Sequence, residues 1–401
     1  MNTDEQHMRR ALNLARAGVG LVSPNPAVGA VVVDASGREV GAATHTYDGI
    51  KHAEVLALQQ AGERARGGTL YLTLEPCSHQ GRTGPCADAV IAAGIRRVVC
   101  SMQDPNPRVA GAGFAKLRAT GTKVEVGLFE AEARKLNESF AKYIRSGKPL
   151  VTLKSAMTLD GKIADATKPG AEPGSATPAT EGARSGYHWI TGEVARAHVQ
   201  QLRHQSDAIL AGVGTVMADD PLLTDRSGLP RRRKLLRVIL DSYLRIPPTS
   251  RVIQTAENDV LVFCSAAEKS AEQALEAKGV RVNQIAATTD GRPDFPAIVQ
   301  SLGELEITSL LIEGGALVNA AALASGEVDK VFLYYAPRIF GEGAVPFLAG
   351  ESLRGKAQCV RHFELHRFGE DFALEGYLHD PYSPHQPVMN VAAEKVKERH
   401  L

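Results

Sequence analysis

The residues with the most recognisable chemistry lie in two short stretches of the first quarter of the chain. His52 and Glu54 are separated by one alanine, and Cys77 and Cys86 each follow a proline. One imidazole and two thiolates can hold Zn²⁺ with a fourth position open to water, and zinc lowers the pKa of such a water toward neutrality. Glu54 is then placed to take up and return a proton. The pattern predicts attack on an amidine-like carbon and departure of ammonia, as in zinc nucleobase deaminases.

Two other interpretations of these residues remain open. Cys77 and Cys86 could be small buried hydrophobic residues, with His52 capping a helix. Alternatively, a closed structural zinc site would need a fourth ligand, for which His79 is the nearest candidate. The five cysteines are odd in number and irregularly spaced, so they do not predict a disulfide framework.

Alternating helical and strand-like patterns surround these residues. Residues 4–17 have helical spacing, and residues 28–45 predict a hairpin whose turn contains Gly37. Helix-like and strand-like segments then alternate to about residue 145, which predicts a largely parallel sheet covered by helices. In such a sheet the three candidate zinc ligands meet at the carboxyl edge of the strands, where α/β proteins bind ligands.

A second α/β series begins after the stretch RSGKP at 145–149, whose Ser, Gly and Pro predict a domain boundary. We therefore predict a first domain at 1–146, a second domain at 149–380 and a C-terminal tail at 381–401. The stretch 165–186 is rich in Ala, Pro, Gly and Thr, and it predicts a surface loop.

Composition narrows the class of protein further. The 401 residues carry 46 lysines and arginines against 45 acidic residues, a formal charge of +1, which predicts no general attraction to nucleic acid or anionic membranes. The N-terminus lacks an apolar targeting segment, and no run of about 18 uncharged apolar residues occurs, so we expect a cytoplasmic protein. The basic stretch RRRK at 231–234 is expected to be a solvated loop rather than a phosphate-steering patch.

Several longer motifs resemble a known enzyme family. HAE at 52–54, with PC at 76–77 and 85–86, resembles the cytidine-deaminase superfamily. The deaminase half of the bifunctional riboflavin-biosynthesis deaminase/reductases, the RibD family, is resembled by SPNPAVGAVVV (23–33), EPCSHQGRTGPC (75–86) and MQDPNPRVAGAG (102–113). Nucleic-acid and cytidine deaminases generally have two residues between the cysteines, whereas this chain has eight. The chain departs from the family pattern at Gly84, where proline is usual.

The resemblance implies a cytidine-deaminase-like three-layer α/β/α domain that binds Zn²⁺ through His52, Cys77 and Cys86, with Glu54 as the catalytic residue. The implied substrate is a diaminopyrimidinone that carries a ribosylamino 5′-phosphate, and its exocyclic amine is replaced by oxygen. Amide and carboxylate groups can bind ring edges and ribose hydroxyls, and an arginine suits the phosphate. The positions that match substrate-binding positions of the family are Asn25, His45, His79, Arg82, Thr83, Asp104 and Asn106.

The second half of the chain resembles the dihydrofolate-reductase-like reductase half of the same family. The motifs are LKSAMTLDGKIA (153–164), WITG (189–192), LRHQSDAILAGVGTVMADDPLLTDR (202–226), LDS (240–242), LIEGG (311–315) and APRIFGEGA (336–344). They imply an α/β domain that uses NADPH to reduce the ribosyl group of the deaminated product to a ribityl chain. The matching cofactor positions are Ala156, Trp189, Thr215, Asp219, Ser242 and Gly315, and the matching substrate positions are Arg203, Leu223, Arg226 and Glu313.

Lys154 and Asp160 could handle protons or polarise the sugar. The glycines that follow Glu313 would let backbone amides approach a phosphate at a helix N-terminus, although for an isolated EGG a simple strand-to-helix turn is the favoured explanation. The sequence contains no Rossmann fingerprint and no Walker loop, so another fold must hold any nucleotide cofactor.

Three alternative functions remain open at this point. Tyr187 stands where family members often carry a serine, so the second half could be a degenerate reductase that serves packing and oligomerisation. The chain could also be a nucleic-acid deaminase, against which the balanced charge and the eight-residue spacing count, or a non-enzymatic zinc-stabilised scaffold. For the bifunctional enzyme we expect a small pyrimidine ribotide as partner, no nucleic acid, no membrane, and a homo-oligomer.

Overall fold

The computed structural model describes residues 3–80, 84–165, 189–350 and 357–383. Arg82, Thr83 and Tyr187 lie outside these ranges, as do most of the predicted surface loop and residues 384–401 of the predicted tail. Within the described ranges, no helix combines the length and the apolar composition that a membrane span requires.

The N-terminal half, which ends at Ser146, follows the predicted alternation of helices and strands. Its elements are α1 (Thr3–Ala17), β1 (Gly29–Val33), β2 (Glu39–Thr44), α2 (Ala53–Ala61), β3 (Thr69–Leu72), α3 (Cys86–Ala92), β4 (Arg97–Cys100), α4 (Ala112–Ala119), β5 (Lys123–Val126), α5 (Glu130–Leu136) and α6 (Glu138–Ser146). Among the described residues, these strands form one sheet in the order β2-β1-β3-β4-β5.

This sheet is mixed rather than largely parallel. The strands β3, β4 and β5 are parallel, as predicted, but β1 is antiparallel to both β2 and β3. The predicted hairpin turn, in which Gly37 has a φ of +87°, reverses the chain between β1 and β2. The connection through α2 then places β3 parallel to β2, on the far side of β1. The antiparallel pairing of β1 and β3 follows from this order.

Two glycines allow helices to pack directly on the sheet. A Cβ atom on Gly29 would lie 1.9 Å from the Ala11 carbonyl oxygen of α1, and one on Gly41 would lie 2.1 Å from the Ala57 carbonyl oxygen of α2. Gly41 pairs with Val32, and strand positions 29 and 32 point to opposite faces. The helices α1 and α2 therefore cover opposite faces of the sheet, and the predicted three-layer α/β/α arrangement is confirmed.

The C-terminal half forms a second α/β unit. Its elements are β6 (Leu150–Thr158), β7 (Lys162–Ala164), α7 (Glu193–Gln205), β8 (Ala208–Gly212), α8 (Val213–Asp219), β9 (Leu236–Leu240), α9 (Arg251–Gln254), β10 (Val260–Cys264), α10 (Lys269–Glu276), β11 (Val280–Gln284), α11 (Phe295–Glu304), β12 (Ser309–Ile312), α12 (Ala316–Ser325), β13 (Lys330–Ala336), β14 (Val345–Pro346), β15 (Arg361–Phe368) and β16 (Asp371–Tyr377).

The order of the strands in this sheet differs from their order along the chain. In the described part of the chain, nine of them form a sheet in the order β11-β10-β9-β8-β12-β6-β13-β16-β15. The pairings from β11 to β13 are parallel, and those of β13, β16 and β15 are antiparallel. The strand β12 is inserted between β8 and β6, although it follows both in sequence. Ligands of α/β proteins bind where the strand order changes in this way.

The two halves are joined by residues 147–149 and pack against each other through ion pairs. Lys330 Nζ lies 2.6 Å from Glu138 Oε1 of α6, and Lys135 Nζ of α5 lies 2.9 Å from Glu375 Oε2 of β16. Basic and acidic partners therefore come from both sides of the contact.

The beginning of the predicted C-terminal tail also packs on the N-terminal half. The hydroxyl group of Tyr382 donates a hydrogen bond to the Arg134 carbonyl oxygen (2.8 Å), and the Arg134 guanidinium lies 3.8 Å from the centre of the tyrosine ring.

The expectation of a solvated loop at 231–234 is wrong for three of its four residues. Arg231, Arg232 and Arg233 are partly buried, and their guanidinium groups donate hydrogen bonds to backbone carbonyls elsewhere in the fold, whereas Lys234 is exposed. The acceptors lie far away in sequence, and local composition carries no signal for them.

Candidate functional site

The three predicted zinc ligands come together at one edge of the N-terminal sheet. His52 immediately precedes α2, Cys77 lies in the loop after β3, and Cys86 is the first residue of α3. His52 Nδ1 lies 3.1 Å from Cys86 Sγ and 3.7 Å from Cys77 Sγ. The Cys86 N–H donates a hydrogen bond to Cys77 Sγ (3.3 Å). The three ligand atoms lie within 4.8 Å of one another and thus surround one centre.

These separations fit a tetrahedral zinc ion. Zn–N and Zn–S bonds of about 2.1 and 2.3 Å place neighbouring ligand atoms roughly 3.5 to 3.8 Å apart. Contact with Cys86 and His52 lowers the pKa of Cys77, whereas contact with Cys77 and burial raise the pKa of Cys86. The donor set therefore suits Zn²⁺, and the interpretation of the cysteines as inert hydrophobic residues is not supported.

The alternative of a closed site with four protein ligands is not supported either. His79 is exposed, and it does not belong to the cluster of three candidate ligands. Three protein ligands are the usual number in catalytic zinc sites.

Glu54 is buried beside the ligand cluster. Its side chain is 4% exposed, and this burial raises its pKa. His52 and Cys86 lie close enough to this carboxyl group to offset part of the rise. A buried carboxyl group with a raised pKa can both accept and donate a proton during a reaction. The structure therefore places the predicted proton-transfer group next to the predicted metal ligands.

His45, a predicted substrate residue, lies beside His52. The two ring centres are 5.7 Å apart, and His45 is 4% exposed. Burial, with a smaller effect of His52, lowers the pKa of His45 to about 4, so the ring is neutral near pH 7. Neither of its ring nitrogens has a hydrogen-bond partner among the described residues. A buried imidazole with unused polar atoms beside a metal centre is suited to contact a ligand.

Asp104 and Asn106 lie in the loop between β4 and α4. Burial raises the pKa of Asp104 to about 6, and the Asn106 N–H, which donates to Asp104 Oδ1 (2.8 Å), and the nearby His79 partly offset that effect. The charge of Cys77 raises the pKa of Asp104 further. The structure thus brings these predicted substrate residues into the neighbourhood of the zinc ligands.

The remaining predicted deaminase residues stay predictions. Asn25 is half-buried in the loop before β1, where its N–H donates to the Val22 carbonyl oxygen (2.9 Å). Arg82 and Thr83 fall in the undescribed segment between residues 80 and 84.

Sequence reasoning missed Glu75, the buried carboxylate that precedes Pro76 and Cys77. Its two oxygens accept hydrogen bonds from the backbone N–H groups of Asp104 (3.1 Å), Gly111 (2.9 Å), Gly113 (2.9 Å) and Phe114 (3.2 Å). A Cβ atom on Gly113 would lie 2.0 Å from the Pro76 carbonyl oxygen. Glu75 thus holds the loop that carries Asp104 against the loop that carries Cys77. The signal was an acidic residue at the end of an apolar strand, inside the EPC motif.

In the C-terminal half, Glu313 connects two predicted substrate residues. Arg203 Nε lies 2.7 Å from Glu313 Oε1, and Arg203 Nη2 and Lys154 Nζ lie 3.1 and 3.2 Å from Glu313 Oε2. Burial opposes ionisation of Glu313, but Lys154 and Arg203 outweigh it and lower its pKa to about 2. Arg203 Nη1 also donates to the Thr224 carbonyl oxygen (2.9 Å). Three of the five N–H donors of this guanidinium are used, and two can still reach a ligand.

The ends of the neighbouring strands β8 and β12 form a glycine-lined cradle. The helix α8 begins after Gly212, and α12 begins after Gly315. A Cβ atom on Gly314 would lie 2.7 Å from Val318, and one on Gly315 would lie 3.5 Å from Thr215 Oγ1. Helix N-termini and exposed glycine backbone at the carboxyl edge of parallel strands are typical of sites for nucleotide phosphates. We therefore predict that cofactor phosphates bind at this edge of the sheet.

The other predicted cofactor residues lie on several elements of the C-terminal half. Ala156 lies on β6, two residues after Lys154. Asp219 is the last residue of α8, and it is exposed. Ser242 follows β9, and its carbonyl oxygen accepts hydrogen bonds from the N–H groups of the loop after β10. Trp189 is 54% exposed just before α7.

The predicted substrate residue Asp160 has contacts that sequence reasoning did not foresee. Its carboxylate accepts hydrogen bonds from the Thr158 hydroxyl (2.5 Å) and from the N–H groups of Phe340 (3.2 Å) and Gly341 (2.8 Å). The hydrogen bond from Thr158 and those from the two backbone groups lower its pKa to about 2. These contacts favour a role in fixing the 340–341 turn over proton transfer.

Leu223 and Arg226 lie in the loop after α8. Leu223 is buried with a positive φ of 54°, and the guanidinium group of Arg226 is exposed. The Arg226 backbone N–H donates to Gln200 Oε1 of α7 (2.9 Å). This loop therefore borders the helix that carries Arg203.

Comparison with known proteins covers both halves. Residues 1–102 match the model of the cytidine and deoxycytidylate deaminase zinc-binding region, and residues 149–374 match the model of the RibD C-terminal domain. The riboflavin biosynthesis protein RibD of Aquifex aeolicus is 41% identical over 372 residues, which span 92% of this chain and 97% of the relative.

Solved structures agree with this similarity. Acinetobacter baumannii RibD superimposes with a TM-score of 0.76 at 35% identity, covering 94% of this chain and 98% of that one. A diaminohydroxyphosphoribosylaminopyrimidine deaminase/5-amino-6-(5-phosphoribosylamino)uracil reductase from Thermotoga maritima gives a TM-score of 0.73 at 36% identity, with coverage of 94% and 98%. The chain belongs to the RibD family of bifunctional riboflavin-biosynthesis enzymes, with a zinc-binding deaminase half and a reductase half.

Proposed function

We propose that the chain catalyses two successive steps on one pyrimidine ribotide, with a domain boundary between residues 146 and 149. Residues 1–146 deaminate 2,5-diamino-6-(5-phosphoribosylamino)pyrimidin-4(3H)-one by hydrolysis. Residues 149–380 then reduce the ribosyl group to a ribityl chain with NADPH. The paired activity in the name of the Thermotoga maritima relative supports this assignment.

In the deaminase site, His52, Cys77 and Cys86 would hold Zn²⁺, which supplies a water activated for nucleophilic attack. Glu54 takes up a proton and returns it to the departing amine, because its buried carboxyl group is close to the ligands and its pKa is raised. The neutral ring of His45 contacts the pyrimidine.

The loop residues supply the remaining contacts to this substrate. Asp104 and Asn106 bind polar edges of the ring or the ribose, and His79 assists them from the rim. Arg82 and Thr83 bind the phosphate end, in accordance with the motif that contains them.

In the reductase site, NADPH supplies the hydride. The amides of Gly314 and Gly315 bind the cofactor phosphates, and Ala156, Trp189, Thr215, Asp219 and Ser242 line the rest of its path. Lys154, held 3.2 Å from Glu313, polarises the opened sugar. Arg203, Leu223 and Arg226 orient the substrate, with the free donors of Arg203 and Arg226 directed to its phosphate.

The observation that carries this proposal is the convergence of His52, Cys77 and Cys86 on one centre beside Glu54. It is tested by zinc analysis of the purified protein together with turnover of the diaminopyrimidinone ribotide, with and without NADPH. We expect stoichiometric zinc, release of ammonia without NADPH, and oxidation of NADPH that requires the deaminated product. A degenerate reductase would release ammonia but oxidise no NADPH, and a zinc-stabilised scaffold would do neither.

A homo-oligomer is part of the same proposal. The edge strand β15 exposes two large apolar side chains, Phe363 at 60% and Leu365 at 67%. An exposed apolar sheet edge favours pairing with a second copy of the chain. Light scattering after size exclusion tests this point: the wild-type mass should be a multiple of 42.8 kDa, and Leu365→Lys should lower it.

We also place the enzyme in the cytoplasm, without nucleic acid or membrane partners. None of the five cysteines forms a disulfide, which suits a reducing compartment. A formal charge of +1 gives no general attraction to polyanions. Fractionation of cells and a salt-dependent RNA-binding assay test the two points separately.

A further inference from the structure

We propose that Arg231, Arg232 and Arg233, here named the arginine clamp, position substrate-binding residues of both active sites at once. Arg232 serves the deaminase site, Arg231 serves the reductase site, and Arg233 ties the two together. This inference rests on the proposed function, because it takes Asn25 and His45 as deaminase substrate residues and Arg203 and Arg226 as reductase substrate residues.

Arg232 holds the loop that leads to Asn25. The Arg232 backbone N–H donates to the Gly20 carbonyl oxygen (2.8 Å), and its Nη1 donates to the Ser23 carbonyl oxygen (2.9 Å). Ser23 is two residues from Asn25. An arginine of the C-terminal half thus fixes the backbone that presents a predicted substrate residue of the N-terminal half.

Arg232 also holds the loop that follows His45. Its guanidinium group lies 3.6 Å from the centre of the Tyr47 ring, and its Nε lies 3.4 Å from Asp48 Oδ1. Tyr47 is two residues from His45, and its N–H donates to the Leu21 carbonyl oxygen (3.1 Å). Both loops that border the deaminase site are therefore linked to one another and to the same guanidinium.

Arg231 makes the corresponding contacts on the reductase side. Its Nη1 donates to the carbonyl oxygens of Arg203 (3.0 Å) and His204 (2.9 Å), and its Nη2 donates to the Ser206 carbonyl oxygen (2.7 Å). These carbonyl groups lie at the end of α7, where helical carbonyls run out of intrahelical donors, and the Arg203 carbonyl also accepts the Ser206 N–H (3.2 Å). Arg231 Nη1 also lies 3.1 Å from Asp225 Oδ2. Arg231 therefore joins the end of the helix that carries Arg203 to the residue before Arg226.

Arg233 closes the connection through a shared carboxylate. Its Nη2 donates to Ser23 Oγ (3.1 Å) and to the Glu306 carbonyl oxygen (2.7 Å), and it lies 3.2 Å from Asp207 Oδ2. The Ser23 hydroxyl itself donates to Asp207 Oδ2 (2.7 Å). Ser23, whose carbonyl oxygen accepts the hydrogen bond from Arg232, is thus also hydrogen-bonded to Asp207, which follows α7.

His204 adds an independent link between the same two regions. Its Nδ1 lies 3.1 Å from Asp225 Oδ2, and its Nε2 lies 3.3 Å from the Val19 carbonyl oxygen. The chain passes so close at this point that a Cβ atom on Gly20, whose φ is +82°, would lie 2.7 Å from the His204 ring. The loop of residues 19–23 therefore packs closely against the C-terminal half.

The clamp is tested by steady-state kinetics of each half-reaction in the full-length protein. We expect Arg232→Ala to raise the KM of the deaminase substrate about tenfold with kcat nearly unchanged, because binding residues are displaced while the metal ligands and Glu54 stay in place. Its KM for the deaminated substrate with NADPH should stay at the wild-type value. Arg231→Ala should show the reverse pattern, and Arg232→Lys should recover part of the lost affinity.

Lys234→Ala is the matched control. Lys234 is the next basic residue of the stretch, but it is exposed and pairs with the exposed Glu257, so both KM values should remain at wild type. A clamp that is merely structural would lower both kcat values and the melting temperature in parallel, and that result would overturn the inference. So would an unchanged deaminase KM in Arg232→Ala. If Arg231→Ala does not fold, Arg231→Lys takes its place with the same reading. A wild-type protein that lacks either activity would instead contradict the proposed function.

Discussion

Lys142 Nζ and Asp329 Oδ1 lie 2.7 Å apart across the contact between the two halves, with side chains 5% and 1% exposed. Asp329 Oδ2 accepts a further hydrogen bond from the Val151 N–H at the start of β6 (3.0 Å). Burial raises the pKa of Asp329, and Lys142 opposes that effect. If one of the two charges were removed, the other would stay buried without a compensating partner, which would destabilise the folded protein.

Removal of one partner should therefore destabilise the protein strongly. We expect Lys142→Met to reduce the free energy of unfolding by about 3 to 5 kcal/mol, as measured by urea denaturation. Lys123→Met is a suitable control, because the pair of Lys123 with Glu125 is largely exposed and should contribute less than about 1 kcal/mol. The double variant Lys142→Met, Asp329→Leu should recover part of the loss. A stability of Lys142→Met equal to that of Lys123→Met would contradict this account.

The role of Glu54 predicts a separation between metal binding and chemistry. Glu54→Gln should lower the deaminase kcat about 10²- to 10⁴-fold while zinc content stays at the wild-type level, because the amide cannot transfer the proton. NADPH-dependent reduction of the supplied deaminated product should be unaffected. Glu63→Gln, an exposed position near the end of α2, is the control. Full deaminase activity in Glu54→Gln would remove this residue from the mechanism.

Glu75 should act on the deaminase site without touching the substrate. In Glu75→Ala, four backbone N–H groups lose their acceptor, and we expect a stability loss of at least about 2 kcal/mol with a raised KM for the ribotide. Glu75→Gln keeps one acceptor oxygen and should recover part of both losses. The measurement pairs urea denaturation with deaminase kinetics at saturating zinc. A raised KM that Glu75→Gln did not improve would point to a different cause.

The ion pairs of Glu375 predict a pH dependence of stability. Burial disfavours the charged form of Glu375, but Lys330 and Lys135 outweigh it and lower the pKa from 4.5 to about 2. Since the carboxyl group binds protons more weakly in the folded than in the unfolded protein, its stabilising contribution is complete above about pH 4.5. That contribution is lost as the pH falls through about 2.

The corresponding experiment compares urea denaturation of the wild type and Glu375→Gln between pH 7 and pH 3. The difference in the free energy of unfolding between the two proteins should shrink as the pH falls below about 4.5. A difference that grew toward acidic pH would contradict the predicted sign.

The sequence predicted those parts of the molecule whose cause is local. The turn at Gly37, the zinc ligands of the HAE and PC motifs, and the glycines after Glu313 depend on residue types at short spacing, and all of them lie where the patterns placed them. The predicted hairpin of β1 and β2 is confirmed, but the antiparallel pairing of β1 with β3 was not predicted, because local patterns do not show which strands become neighbours in the sheet.

Long-range polar contacts were the other part that sequence patterns could not supply. The partners of Arg232 lie about two hundred residues away in sequence, and composition alone made its neighbourhood resemble an exposed loop. The four hydrogen bonds to Glu75 were hidden for the same reason, since a backbone N–H leaves no trace in residue type. Asp160 showed the converse, because its motif indicated substrate chemistry and its contacts indicate support of a turn.

The short connection between the halves limits how such an enzyme can be recombined. Residues 147–149 can span only about 10 Å when fully extended. If one half were exchanged for that of a relative, so short a linker could not compensate for a different packing of the two halves. A hybrid would have to inherit matching charges on both sides of the junction, including Lys142 with Asp329 and Arg232 with its acceptors. In this architecture the sequences of the two halves are therefore expected to change together during evolution rather than independently.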